Sequence, residues 1–101
     1  MQVSSLGNLI RNKREEKKLL MRELASKIDV DTSMISKIEN GYRSPTKEQL
    51  DKIASVLHIN NEQLINIWFA ERIYNDLKEQ SNSLDILKIV EERIKEKNTN
   101  G

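Results

Sequence analysis

Between Met21 and Gly41 the spacing of a few residues leaves little choice of fold. Leu24, Ala25 and Ile28 share one face of a short helix over about 21–28, and Ile35 and Ile38 share one face of another over about 32–40. Apolar residues spaced this way mark helices with one buried side. Two short helices joined by so short a turn can cross at a steep angle. The crossing sets four demands. Ala25 is small where the helices approach closely. Asp29, four residues on, tolerates the left-handed turn conformation, though less well than glycine. Val30 is apolar and plugs the gap at the turn. Ile35 and Ile38 anchor the second helix at i, i+3. The sequence meets all four in register.

The flanking chain reads as further helices. Ser4 or Ser5 caps a first helix over about 4–17, with Leu6, Leu9 and Ile10 on its apolar face. Lys13, Arg14, Lys17 and Lys18 crowd its end, where cations complement the helix dipole. Leu19-Leu20 is a short link. Asp31 or Thr32 caps the helix over 32–40, and Gly41 ends it. After the loop Tyr42-Arg43-Ser44-Pro45, Thr46 caps a fourth helix striped by Leu50, Ile53, Ala54 and Leu57. A longer helix over about 62–80 carries Leu64, Ile65, Ile67, Trp68, Phe69, Ile73, Tyr74 and Leu77, too many for one stripe, and must bury more than one face. A last helix over about 84–97 has Leu84, Leu87, Val90 and Ile94 in line, and the tail 98–101 is expected to fray.

Composition narrows the chemistry. The 101 residues include three glycines and one proline, few enough for long helices with short connections. There is no cysteine, which removes disulfides, thiol catalysis and the usual structural zinc sites. His58, the only histidine, sits at a helix end where capping or packing is the ordinary role, so no triad or metal set converges on it. No glycine-rich phosphate loop occurs, and most acidic residues stand beside Lys or Arg on solvated helix faces. The chain is expected to be neither an enzyme nor a cofactor carrier. No leader and no apolar run long enough to span a membrane is visible, so a cytoplasmic protein is expected. Net charge is +1, divided as +3 over residues 1–60 and −2 over 61–101, a mild basic bias in the first part.

The run Leu24-Ala25, Val30, Ile35-Ser36-Lys37-Ile38-Glu39-Asn40-Gly41, Pro45, Leu50, Ile53-Ala54 and Leu57 resembles the Xre/Cro-type, lambda-repressor-like helix-turn-helix family of phage repressors and bacterial regulators. The resemblance covers about residues 6–67. It implies an all-α fold: a five-helix DNA-binding domain over 1–67, then a helical extension over 68–97. It also implies that the helix near 32–40 enters the major groove of double-stranded DNA by its N-terminal end. Thr32, Ser33, Ser36 and Lys37 then match base-contacting positions, with Met34 partly outward toward a thymine methyl. Thr32 and Ser33 can instead serve merely as helix caps. Asn40, Tyr42 and Arg43 match a phosphate-gripping segment, although the Tyr42 ring can instead pack on its loop. Arg14 and Glu39 match a salt-bridging pair that would turn Arg14 toward the DNA backbone. Leu20 and Met21 depart from the family, which often has a polar cap followed by Gln here. Backbone N–H groups and Arg22 are left to meet a phosphate on that side.

Beyond Ile67 the chemistry is packing. Trp68, Phe69, Ile73, Tyr74, Leu77, Leu87 and Val90 exceed what one small core absorbs and form a candidate homodimer face. A dimer suits a palindromic site, because it presents two recognition helices about 34 Å apart. These helices can also fold back and cap the core. The segments Ile-Trp-Phe-Ala-Glu-Arg-Ile-Tyr and Ile-Val-Glu-Glu are similar to small regulators that accompany restriction–modification genes. An antitoxin or adaptor that uses the 62–97 helices on a second protein is the competing expectation.

Overall fold

In a computed structural model, which describes residues 5–100 and the side chains as far as Thr99, the chain is an all-α fold of six helices. They are α1 (Leu6–Glu16), α2 (Met21–Lys27), α3 (Thr32–Glu39), α4 (Lys47–Leu57), α5 (Asn61–Leu77) and α6 (Ser83–Asn100). The chain divides into two compact units, one reaching Glu71 and the other beginning at Arg72.

Each helix of the first unit starts at a polar cap or a substitute for one. Ser5 Oγ accepts from Asn8 N, while Ser4 lies outside the described residues. Asp31, not Thr32, caps α3: its Oδ1 accepts from Met34 N at 2.9 Å. Thr46 and Gln49 exchange side-chain bonds with each other's backbone N–H groups at 3.1 and 3.0 Å, satisfying two donors at once. Leucine has no acceptor to offer at position 20, so α2 has half of this arrangement, the Glu23 carboxylate accepting from Leu20 N.

Four helix ends are turned by a residue in the left-handed region: Lys18 (φ 58°), Asp29 (φ 61°), Gly41 (φ 79°) and His58 (φ 55°). After each, the next amide folds back onto the helix: Leu19 N to Arg14 O, Val30 N to Ala25 O, Tyr42 N to Lys37 O and Ile59 N to Ala54 O, all between 2.8 and 3.1 Å. These bonds satisfy carbonyls that a helix end leaves without partners. Asp29 therefore takes the conformation its place in the sequence demanded, and His58 serves as a cap.

The core of the first unit joins Leu6 and Ile10 of α1, Leu24 and Ala25 of α2, Ile35 and Ile38 of α3, and Leu50, Ile53, Ala54 and Leu57 of α4. Leu64 and Trp68 of α5 close it. Gly7 marks the tightest approach: a Cβ there would lie closest to the Glu39 carbonyl oxygen and 2.6 Å from that of Ile38. α1 thus rests directly on the last turn of α3.

α5 departs from expectation. It buries Leu64 and Trp68 but leaves Phe69, Ile73 and Tyr74 exposed. It also stops at Leu77, where Lys78 and Gln80 turn back onto Tyr74 and Leu77. α6 buries no described side chain, and Leu84, Leu87, Ile89, Val90 and Ile94 are exposed on it. It runs on to Asn100, past the expected end at 97. Between Glu96 and Asn100 there is no Gly or Pro to stop a helix, and the Thr99 hydroxyl donates to the Lys95 carbonyl one turn back.

Candidate nucleic-acid interface

The turn between α2 and α3 is built from three backbone bonds. Ile28 N donates to Leu24 O, Asp29 N to Ser26 O and Val30 N to Ala25 O. Val30 is half-buried against the core, and Ile35 and Ile38 are buried. Thr32, Ser33 and Lys37 are exposed, with Ser36 half-buried beside them. These four fall on one side of α3, at i, i+1, i+4 and i+5. Met34 is half-buried and packs on the core, so it presents only part of its thioether.

The Asp31 carboxylate organises the start of this row. It accepts from the Ser33 hydroxyl at 2.8 Å and from Met34 N at 2.9 Å. These two bonds, in that order, hold its pKa below the ordinary value for aspartate. Ser33 thus has its proton committed, and its oxygen remains available as an acceptor.

Lys37 O receives the amides of both Tyr42 and Arg43, at 2.8 and 3.3 Å, which ties the following loop to the end of α3. Both side chains are exposed. Tyr42 is 84% exposed, so its ring stands in solvent and does not pack on the loop. Arg22 is also exposed, and Met21 packs partly on the core where the resembling family often has a polar side chain.

Two residues expected to meet DNA phosphate are instead bonded within the protein, and one of them is buried. Arg14 is buried, 7% exposed, with every guanidinium nitrogen bonded. Its Nε and Nη2 grip the two oxygens of buried Glu39 at 2.7 and 3.1 Å, and Nη1 donates to the Leu19 carbonyl at 2.6 Å. The Arg14–Glu39 bridge is therefore present, but its closure withdraws Arg14 from the surface. The hydrogen bond to Glu39, more than the opposing desolvation, raises the Arg14 pKa. Asn40 is exposed, but its Nδ2 donates to the Ser36 carbonyl at 2.9 Å and its Oδ1 accepts from Arg11 Nη2 at 2.7 Å.

Trp68 likewise belongs to the core, where it is 9% exposed. Its Nε1 donates to the Pro45 carbonyl at 2.9 Å and lies 3.2 Å from Ser44 Oγ, fastening α5 to the loop after α3. Sequence reasoning missed this clamp and also missed Arg11. The one available signal for Arg11 was its place three residues before Arg14, on the same side of α1. Among the described residues no group of His, Asp and Glu is arranged to hold a metal ion, and no helix is long and apolar enough to cross a membrane.

A family profile described as helix-turn-helix matches residues 10–60. An uncharacterized HTH-type transcriptional regulator of Mycobacterium tuberculosis is 36% identical over 58 residues, covering 57% of this chain and 41% of that protein. The ImmF control region 10 kDa protein of Bacillus phage phi105 is 36% identical over 55 residues, covering 54% of this chain and 61% of that one. The match thus spans less than two thirds of the length of either relative. Among solved structures, the P22 c2 repressor in complex with a synthetic operator is similar at TM-score 0.59 and 24% identity, over 61% of this chain and 94% of that one. The clp gene regulator ClgR from Corynebacterium glutamicum is similar at 0.57 and 22%, over 85% and 86%. The SinR–SinI complex is similar at 0.56 and 22%, over 91% and 98%. These likenesses show the fold, a lambda-repressor-like arrangement with an added C-terminal helix.

Proposed function

Because the chain belongs to the helix-turn-helix family, we propose that it is a sequence-specific DNA-binding regulator of transcription that binds a palindromic site as a homodimer. The observation that carries this reading is the exposed row Thr32, Ser33 and Lys37 on α3, followed at once by exposed Tyr42 and Arg43. Short hydroxyl side chains let a helix sit deep in the major groove, and a lysine beside them donates to guanine O6 and N7. Ser36 joins this row, and Met34 meets a thymine methyl. Arg43 and Tyr42 grip phosphates beyond the helix, with Arg22 on the other flank.

The homodimer rests on the apolar surface of the last two helices. Phe69, Ile73 and Tyr74, with Leu87 and Val90, are exposed, and Leu77 is half-buried. Covering so much apolar surface is favourable at about 25 cal/mol per Å² buried. Trp68 lies in the core beneath Phe69 and backs it, with ring centroids 5.0 Å apart.

Selection from random duplexes tests the proposal. An enriched palindrome is expected, and binding to it weakens steeply with salt as counterions are released. Lys37→Ala relaxes base preference at a cost of about 1–3 kcal/mol, whereas Arg43→Ala weakens all duplexes alike. Return of no enriched sequence would sink the proposal.

A second reading, an antitoxin or adaptor that docks these helices on another protein, draws on the exposure of Leu84, Ile89 and Ile94 along α6. A stoichiometric protein partner on purification favours it, and a homodimer in sedimentation counts against it.

A further inference from the structure

The ionic junction between α1 and α3 leaves one arginine with charge to spare. Two guanidinium groups face the single carboxylate of Glu39, whose side chain is wholly shielded from solvent. Arg14 holds both carboxylate oxygens. Arg11 Nε lies further off, 3.5 Å from Oε1. One carboxylate neutralises one guanidinium, and the doubly bonded Arg14 takes that share. The surplus positive charge therefore rests on Arg11, whose side chain is 35% exposed against 9% for Arg14.

Arg11 is also aimed. Its Nη2 bonds Asn40 Oδ1 at 2.7 Å, and the Asn40 amide is itself tied to the Ser36 carbonyl. This pins the guanidinium against the end of α3, two residues before Tyr42 in the chain. Among the described residues Nη1 carries no hydrogen bond. An arginine has five N–H donors in a rigid fork. Here some of them fix its orientation, and others remain free.

Resting on the DNA-binding reading above, we infer that Arg11 binds a DNA backbone phosphate, and that it, not Arg14, is the cation of α1 that does so. A pre-oriented guanidinium gives up little freedom when it forms a bidentate pair with phosphate. Asn40 then acts as a positioning residue for Arg11 and does not touch the DNA itself.

The test uses the full chain and the duplex returned by selection. Arg11→Gln is expected to make the slope of log K against log salt shallower by about 0.9 per bound protomer, with base preference and circular dichroism unchanged. Arg11→Lys keeps the charge and is expected to keep the slope. A full slope in Arg11→Gln overturns the inference, as does an Arg11→Lys slope equal to that of the Gln variant. Phenylglyoxal modification read by mass spectrometry needs no variant. Arg11 should react in the free chain and be protected by the duplex, with Arg14 unreactive in both. Equal Arg11 reactivity with and without DNA also overturns the inference. A wild-type chain that binds no duplex overturns this inference together with the DNA-binding reading, whereas normal binding with no effect at Arg11 overturns this inference alone.

Discussion

The indole nitrogen of Trp68 donates to the carbonyl oxygen of Pro45, 23 residues earlier, at 2.9 Å. Through this bond α5 holds the loop that carries Tyr42 and Arg43. Phenylalanine would keep much of the ring packing but not the donor. Trp68→Phe removes this bond and leaves the carbonyl with only the longer one from the Ser44 hydroxyl, at 3.4 Å, so it is expected to destabilise the domain by about 1 kcal/mol. Urea unfolding measures it, and amide exchange over residues 41–46 should quicken in the same variant. An unchanged midpoint would show the clamp to be idle.

Gly7 offers a test with competing signs. Alanine is better than glycine in a helix by about 1 kcal/mol, so propensity alone favours Gly7→Ala. The added Cβ, however, would meet backbone atoms of Ile38 and Glu39, which cannot swing aside. Overpacking of this kind costs about 1–3 kcal/mol. The expected result is net destabilisation, with α1 displaced from the end of α3. A stabilised variant would mean that this junction yields easily.

Arg14 and Glu39 stand or fall together. Arg14→Met leaves a buried carboxylate without its main partner and should cost about 3–5 kcal/mol. The double variant Arg14→Met, Glu39→Leu removes both charges and should recover much of that loss. A double-mutant cycle in denaturant reads the difference. Simple additivity of the two single effects would show that the pair is not coupled.

Acid should loosen the start of α3. The Asp31 carboxyl titrates below the ordinary aspartate value because Ser33 and Met34 bond its charged form. Its stabilising contribution is therefore complete above the unfolded pKa, about 3.9, and is lost as pH falls through the lower folded value. Wild type should exceed Asp31→Asn in stability by a constant margin from about pH 5 upward, and that margin should shrink below about pH 4. Thermal melts over this range decide it, and a margin independent of pH would rule the cap out as the titrating group.

The two-helix block was legible because its demands are local. Ala25, Asp29, Val30, Ile35 and Ile38 constrain one another within fourteen residues, and each occupies the environment its spacing implied. The caps Ser5, Asp31 and Thr46 were legible for the same reason. What escaped depends on distant partners. Trp68 looks like any large apolar residue in an over-rich helix, and only the Pro45 carbonyl distinguishes a core position from an interface one. Arg14 and Arg11 are alike as sequence, and the geometry of Glu39, 25 residues beyond Arg14, is what buries one and leaves the other partly exposed. The length of α6 escaped because periodicity marks where apolar residues stop, whereas a helix stops where its backbone is interrupted.

Of the four helix ends turned through the left-handed region, only Gly41 does so without a side chain. A side-chain-bearing residue pays about 1–2 kcal/mol for that conformation, less for aspartate, against roughly 0.5–1 kcal/mol of extra chain entropy that glycine loses on folding. Lys18→Gly, at an exposed position with its folding-back bond intact, should therefore raise the denaturation midpoint. The domain consequently has headroom: destabilising changes along the exposed row of α3 can be offset at turns that lie in the backbone between its helices.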